Sequence, residues 1–306
     1  MVTKTGFRTL TVYTYAVLAM LFWGLSFVWF KLVIVAYDPI TIIFLRLLIS
    51  SFLLAVFQLI TRNFQRIKWD DLKWFLLLAF TQPFCYFMGE SFGLRLVSST
   101  VSSVIISTIP LFSPIAAYMA FRERITSDVL TGILFSFLGI MIMLINPDLS
   151  FTSNPKGVLF LFLAVFSAVA YSVVIRKLAF KYHPATIIML QNLIGAIYFL
   201  PLFLVFDLKG FMLIHPGKDV LFALLELSFF ASTFSYLFYI IAIKEIGVVK
   251  SNILTNLIPI FTAVFSFFVL AERFTIAKVI GMAIVMSGIV ISQYKSIKLM
   301  MNRRIN

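Results

Sequence analysis

The chain is short of nearly every side chain on which aqueous chemistry depends. Only 12% of its 306 residues are charged, against about a quarter in an ordinary soluble domain. It has one cysteine, Cys85, so no disulfide can form within it and nothing points to an oxidising compartment. Its two histidines, His183 and His215, each stand beside a proline in a turn. Those turns fall on opposite sides of the arrangement derived below, so they cannot share a metal. Asp70-Asp71 is the one carboxylate cluster, and there is no glycine-rich phosphate loop. Hydrolysis or group transfer needs nucleophiles, paired acids or metal ligands. The expectation is therefore no enzyme, no metal, no cofactor and no ATP-driven step. The net charge of +13 is no sign of a nucleic-acid partner, because the basic residues lie in turns between apolar stretches.

Apolar residues fill the space that these absences leave. Hydrophobic side chains make up 62% of the chain, and phenylalanine alone contributes 36 residues. Ten apolar stretches run over 11–33, 40–60, 73–94, 100–120, 128–146, 157–179, 185–206, 219–243, 249–270 and 277–294. A bilayer core about 30 Å thick takes roughly 20 helical residues to cross. The pattern predicts an all-α integral membrane protein with ten transmembrane helices and a lipid bilayer as its surroundings. The first run is too long for a signal-peptide core and reads as the first span. Turn-forming residues separate the spans, as in Asp38-Pro39, Asn146-Pro147-Asp148, His183-Pro184 and His215-Pro216-Gly217. Ten crossings put both termini on one side. With that side cytoplasmic, 17 Lys and Arg residues fall inside and seven outside, and Arg46 within a span is the last of the 25. That bias matches the positive-inside rule and places the chain in the cytoplasmic membrane. The basic tail after Tyr294 would lie against anionic headgroups.

The two halves repeat. Tyr37-x-Pro39-x-Thr41-Ile42-Ile43-x-Leu45 recurs as Tyr182-x-Pro184-x-Thr186-Ile187-Ile188-x-Leu190, 145 residues on. At an offset of 149, Ile109-Pro110 and Phe112 recur as Ile258-Pro259 and Phe261, and Glu123-Arg124-x-Thr126 as Glu272-Arg273-x-Thr275. Gly132 and Gly139 likewise recur as Gly281 and Gly288, and ten of the 47 positions from 94 to 140 are identical. The units are 1–147 and 148–306. Each holds five spans, and five is odd, so the second unit enters the membrane upside down. The expected fold is two inverted five-helix repeats, an arrangement that puts a substrate site near mid-membrane between them.

Several short motifs run through both units in order. They include Trp23-Gly24-Leu25-Ser26-Phe27, Pro39 with Arg46, Gly93-Leu94-Arg95 with Val97-Ser98-Ser99, and Ser167-Ala168-x-Ala170-Tyr171 with Arg176-Lys177. Pro110 precedes Glu123 by 13 residues, as Pro259 precedes Glu272. In this order and duplicated, they resemble the EamA-type branch of the drug/metabolite transporter superfamily over nearly the whole chain. The resemblance implies a ten-helix fold and carriage of small metabolites, often outward, without fixing one substrate.

Three charges lie within spans: Arg46, Glu90 and Glu226. At about 1.5 Å per residue they sit roughly 6–11 Å deep in the outer half. A charge at a span's centre costs about 2.5–3.5 kcal/mol, so such groups face a cavity or a partner. Arg46 either binds a substrate carboxylate or pairs with Glu90 or Glu226, and the residues alone leave both readings open. Pro110 and Pro259 remove a backbone donor at equivalent places and kink their helices. Trp23, Ser26, Gln82, Tyr86, Tyr171, Gln191, Asn192, Tyr236, Tyr239, Asn252 and Asn256 are candidates for a cavity wall or for interhelical hydrogen bonds. The duplicated glycines leave a small-residue stripe, either an internal seam or a homodimer contact. The expected function is secondary transport of small metabolites, such as amino acids or related amphipathic compounds, by alternating access and in the exporting direction. An importer or antiporter of organic anions, or a membrane scaffold, are the alternatives.

Overall fold

A computed structural model describes residues 4–62, 64–121, 127–145, 151–175, 177–246, 251 and 254–294. Apart from one isolated bridge between Ile145 and Phe151, the regular structure among them is helical. Among the described residues, seven helical stretches are long and apolar enough to cross a membrane: Leu10–Val33, Pro39–Thr61, Ser99–Ala116, Ser127–Leu144, Pro155–Ile175, Pro184–Leu213 and Lys218–Ile246. Leu257–Leu270 and Ile276–Ser292 are apolar but shorter. Large apolar side chains such as Phe52, Phe137, Phe206 and Phe268 point outward. Water would penalise that surface and acyl chains do not.

Local chemistry sets the boundaries. Helix α1 covers Lys4–Val33 and α2 covers Pro39–Thr61. Pro39 opens α2 at a position where no backbone donor is needed, and Arg62 closes it in the left-handed region at φ 51°. Helix α3, Trp69–Ala79, runs through a kinked turn at Phe80–Cys85 into α4, Tyr86–Leu96. Within that turn Gln82, just before Pro83, leaves helical geometry (φ −146°, ψ 121°). Helix α5, Ser99–Ile106, is capped by Ser98 Oγ, which accepts from Val101 N–H at 3.4 Å. Helix α6, Ile109–Phe121, begins one residue before Pro110, so the fourth apolar stretch breaks at 107–108. Helices α7, Ser127–Leu144, and α8, Pro155–Ile175, follow.

Helix α9, Pro184–Leu202, is capped by His183 Nδ1, which accepts from Ala185 N–H at 3.3 Å. It passes through a π-turn at Phe203–Asp207 into the short α10, Leu208–Leu213. Helix α11, Lys218–Glu226, passes through a second π-turn, Leu227–Phe234, into α12, Ser235–Ile246. Helix α13, Leu257–Leu270, starts two residues before Pro259, and α14, Ile276–Ser292, is capped by Thr275. Both duplicated prolines thus stand in the first turn of a helix that restarts within an apolar stretch. Asn252, Glu123, Arg124, Arg176 and the 146–148 turn lie outside the described residues.

Elements that are duplicates in sequence meet each other. Helix α7 packs along α14, and α2 along α9. Helix α4 packs on α8, as their counterparts α11 and α12 pack on α1; α1 also meets α13, as α8 meets α5 and α6. The α7–α14 seam is closest at the glycines. A Cβ at Gly139 would lie 2.6 Å from Gly281 O, and one at Gly132 would lie 2.5 Å from Gly288 O. The pairing is antiparallel, and midway along it Ser136 Oγ donates to Val285 O at 3.3 Å. The small-residue stripe is therefore buried within the chain.

The α2–α9 pair is clamped at both ends. Thr41 donates its backbone N–H (2.9 Å) and its hydroxyl (2.8 Å) to Asp207 Oδ2 at the far end of α9. Its duplicate, Thr186, donates to Gln58 Oε1 at 2.8 Å near the far end of α2. The stretch 64–68 and the start of α3 meet residues 177–183 at one end of the molecule through Lys181–Asp71, Tyr182–Asp71 and Gln65–His183. At the other end Arg95 pairs with Asp38, and Glu272 accepts from Thr100 N–H and Lys278.

Candidate functional site

Two interruptions of helix, one in each half, bring the polar residues together: a break at Gln82-Pro83 between α3 and α4, and the π-turn between α11 and α12. A π-turn widens a helix and redirects its side chains, and such turns gather at functional sites. In the α11–α12 turn the hydroxyls of Ser232 and Thr233 donate to the carbonyls five residues back, Leu227 O and Ser228 O. In the α3–α4 turn Gln82 swings out of the helix and its Nε2 donates to Tyr236 Oη at 2.8 Å. Ser167 Oγ on α8 donates to Thr81 O at 2.6 Å and holds that turn in place.

Arg46 lies buried between these turns, 4% exposed. Its Nε donates to Ser232 Oγ at 2.9 Å, and its guanidinium carbon stands 4.2 Å from the centre of the Phe87 ring. The Glu90 carboxylate stands near enough to act on it electrostatically. Glu90 itself accepts from Tyr86 Oη at 2.8 Å. A charge-assisted hydrogen bond contributes about 1.5–3 kcal/mol, and a desolvated cation–π contact about 2 kcal/mol. Together they are of the order of the cost of placing a guanidinium at mid-span.

Next to Arg46 the network crosses from half to half. Ser50, one turn on, donates to Ser232 O at 2.9 Å and lies 2.8 Å from Thr233 Oγ1. Asn192 Nδ2 donates to Ser50 Oγ at 3.0 Å, and Tyr171 Oη donates to Gln191 Oε1 at 3.0 Å. Trp23 meets Tyr236 and Tyr239 edge-on, with ring centres 5.2 and 5.1 Å apart. The result is a layer with a fixed cation and a carboxylate among aromatic faces.

Of the sequence-predicted residues, Trp23, Arg46, Gln82, Tyr86, Glu90, Tyr171, Gln191, Asn192, Tyr236 and Tyr239 fall in this cluster. Ser26 turns its hydroxyl to Trp23 O in its own helix, at 2.7 Å. Asn256 is buried on the approach to α13, with Oδ1 unpaired. Glu226 is half-buried, and among the described residues no hydrogen bond or ion pair joins it to Arg46. Sequence reasoning missed Ser232, Thr233, Ser50 and Phe87. The polar run Ser228…Ser232-Thr233…Ser235 within an apolar stretch was the available signal. A hydrogen-bonding partner for a buried Arg had to come from such a run.

Comparison with known proteins follows the same outline. The model of the EamA-like transporter family matches residues 10–145 and 155–294. An uncharacterised transporter of Archaeoglobus fulgidus is 28% identical over 274 residues, 90% of this chain and 95% of that protein. The uncharacterised transporter YetK of Bacillus subtilis is 25% identical over 255 residues, 82% of this chain and 77% of its own. A solved crystal structure at 16% identity superposes with a TM-score of 0.69, over 94% of this chain and 98% of that one, and so shares its fold.

Proposed function

The chain belongs to the EamA-like transporter family and is a multi-pass membrane transporter, not an enzyme; from that premise we propose that it moves small amphipathic metabolites, amino acids or related compounds, outward by alternating access. The observation that carries this reading is the Arg46 cluster, built from both halves where two duplicated spans depart from regular helix. Arg46 offers a site for an anionic group, Glu90 one for a cation, and Trp23, Tyr236 and Tyr239 an apolar wall. A few convergent polar groups among aromatic faces suit ligands of mixed polarity.

Ten spans in two inverted five-helix units account for the duplicated motifs. The reciprocal antiparallel contacts of α7 with α14 and of α2 with α9 support that arrangement. Two near-equivalent halves can exchange conformations at little net cost, so that one opening closes as the other forms. The bias of basic residues supports a cytoplasmic membrane location with both termini inside.

The test compares metabolites in the medium of cells that lack the protein and cells that overproduce it. Selective accumulation outside on overproduction, abolished by Arg46→Ala at equal membrane expression, is expected. Depletion from the medium would mean uptake instead. No change across broad metabolite classes would leave a scaffold.

A further inference from the structure

An open apolar groove lies away from the Arg46 cluster. It runs down the outside of the bundle, holds about 390 Å³, and is lined by Leu76, Leu77, Phe80, Phe84 and Tyr198. Its walls are apolar, and the Tyr198 hydroxyl is engaged with Leu76 O at 3.2 Å. Lys73, Leu76, Leu77 and Phe80 follow one another at helical spacing on α3 and into the kinked turn, so Lys73 stands at the head of the groove.

The same corner gathers cations. Lys73, next to Trp74 on α3, and Lys177, just after α8, reach the Trp74 ring, with their ammonium nitrogens 5.8 and 5.6 Å from its centre. Both lysines are exposed. Asp71, the buried acid here, is already taken by Lys181 at 2.6 Å and Tyr182 at 2.9 Å. Asp70 is exposed there, against exposed Arg62, Arg66 and Lys68. Trp69 and Phe180 are 86% and 94% exposed beside them. Exposed aromatics with lysines mark the level of the headgroups, and the groove descends from that level along the helices.

We propose that this corner is a binding site for one anionic phospholipid, its phosphate held by Lys73 and Lys177 at Trp74 and one acyl chain lying in the groove. The charge complements a phosphodiester, and the apolar groove begins where the cations end. Basic pockets at helix ends bind anionic headgroups in this way. The site is independent of the transport reading and serves as an anchor that holds α3 and α9 in the lipid.

The test is native mass spectrometry of the full chain, purified in mild detergent with equimolar phosphatidylglycerol and phosphatidylcholine. Wild type should retain phosphatidylglycerol in preference. Lys73→Gln with Lys177→Gln should lower that preference by roughly fivefold for each lysine removed, whereas Lys73→Arg with Lys177→Arg should keep it. Leu77→Trp, which fills the groove from an exposed position, should reduce retention of both lipids. Equal retention of the two lipids by wild type overturns the proposal, and that measurement needs no variant. So does displacement of the lipid by millimolar inorganic phosphate, which would mean a charged surface without a chain site. Unchanged retention in the Leu77→Trp variant would refute the acyl-chain assignment.

Discussion

Removing Asp207 tests how the two halves hold each other. Helix α2 begins without a cap of its own, because Asp38 turns its carboxylate to Arg95 at 2.9 Å and makes no capping hydrogen bond. Asp207, 166 residues away, supplies that cap through one oxygen that accepts both the Thr41 N–H and the Thr41 hydroxyl. Asp207→Ala leaves two buried donors without an acceptor. A hydrogen bond to a charged group contributes about 1.5–3 kcal/mol, and a carboxylate at a helix N-terminus a further 0.3–1 kcal/mol or so. The two bonds share an oxygen and do not add fully, so the expected loss is about 3–5 kcal/mol. Asp207→Asn keeps an oxygen that can accept both donors and loses only the charge, for a loss of about 1–2 kcal/mol. Thr41→Val removes the hydroxyl alone, and a cycle with Asp207→Ala should show a coupling of about 1 kcal/mol or more. The assay is reversible unfolding in mixed detergent micelles, read by circular dichroism and tryptophan fluorescence. Asp207→Ala within about 1 kcal/mol of wild type, or Asp207→Asn as damaging as Asp207→Ala, would refute the capping role. Arg46 lies five residues beyond Thr41, about 7.5 Å along α2, so a loosened cap also moves the candidate site.

Three further outcomes follow from the same geometry. Gly139→Leu places a side chain where even a Cβ would lie 2.6 Å from Gly281 O; overpacking of about 1–3 kcal/mol or more should lower the midpoint of thermal unfolding, and an unchanged midpoint would mean that the α7–α14 seam is looser than described. Arg46→Lys keeps the charge but loses the planar contact with Phe87 and the Nε bond to Ser232, so transport in the metabolite assay should fall well below wild type while membrane expression holds. The hydrogen bonds from Lys181 and then Tyr182 hold the Asp71 carboxyl below its ordinary value, so its contribution to stability is complete at neutral pH and is lost as pH falls below about 4. Lys181 is held above its ordinary value by the same bond, so its share is lost only above about pH 10. Lys181 is half-exposed and solvent screens the pair, so the effect is small; Asp71→Asn should flatten the acid limb of a melting-temperature profile below about pH 4.

The membrane-spanning class, the apolar stretches, the duplication and the charged residues inside spans were all legible in the residues alone. Each depends on composition or spacing, and a bilayer turns those directly into helices because unpaired backbone groups are not tolerated in hydrocarbon. The prolines at 110 and 259 likewise announced breaks in their stretches. What stayed hidden depends on which faces meet. Glu90 and Glu226 stood as equal candidates beside Arg46, and only the packing of α4 against α2 brings Glu90 near while Glu226 lies elsewhere. The glycine stripe could have faced a second copy, until the antiparallel meeting of Gly139 with Gly281 closed it within the chain. The break that aims Gln82 inward goes with Pro83 beside it, whereas the π-turn that aims Ser232 inward has no strong local signature, since it arises where side-chain and interhelical bonds outweigh one regular backbone step. Periodicity determined that helices form and where they end; their rotation about their own axes, which selects the partners of each polar side chain, was decided by tertiary packing.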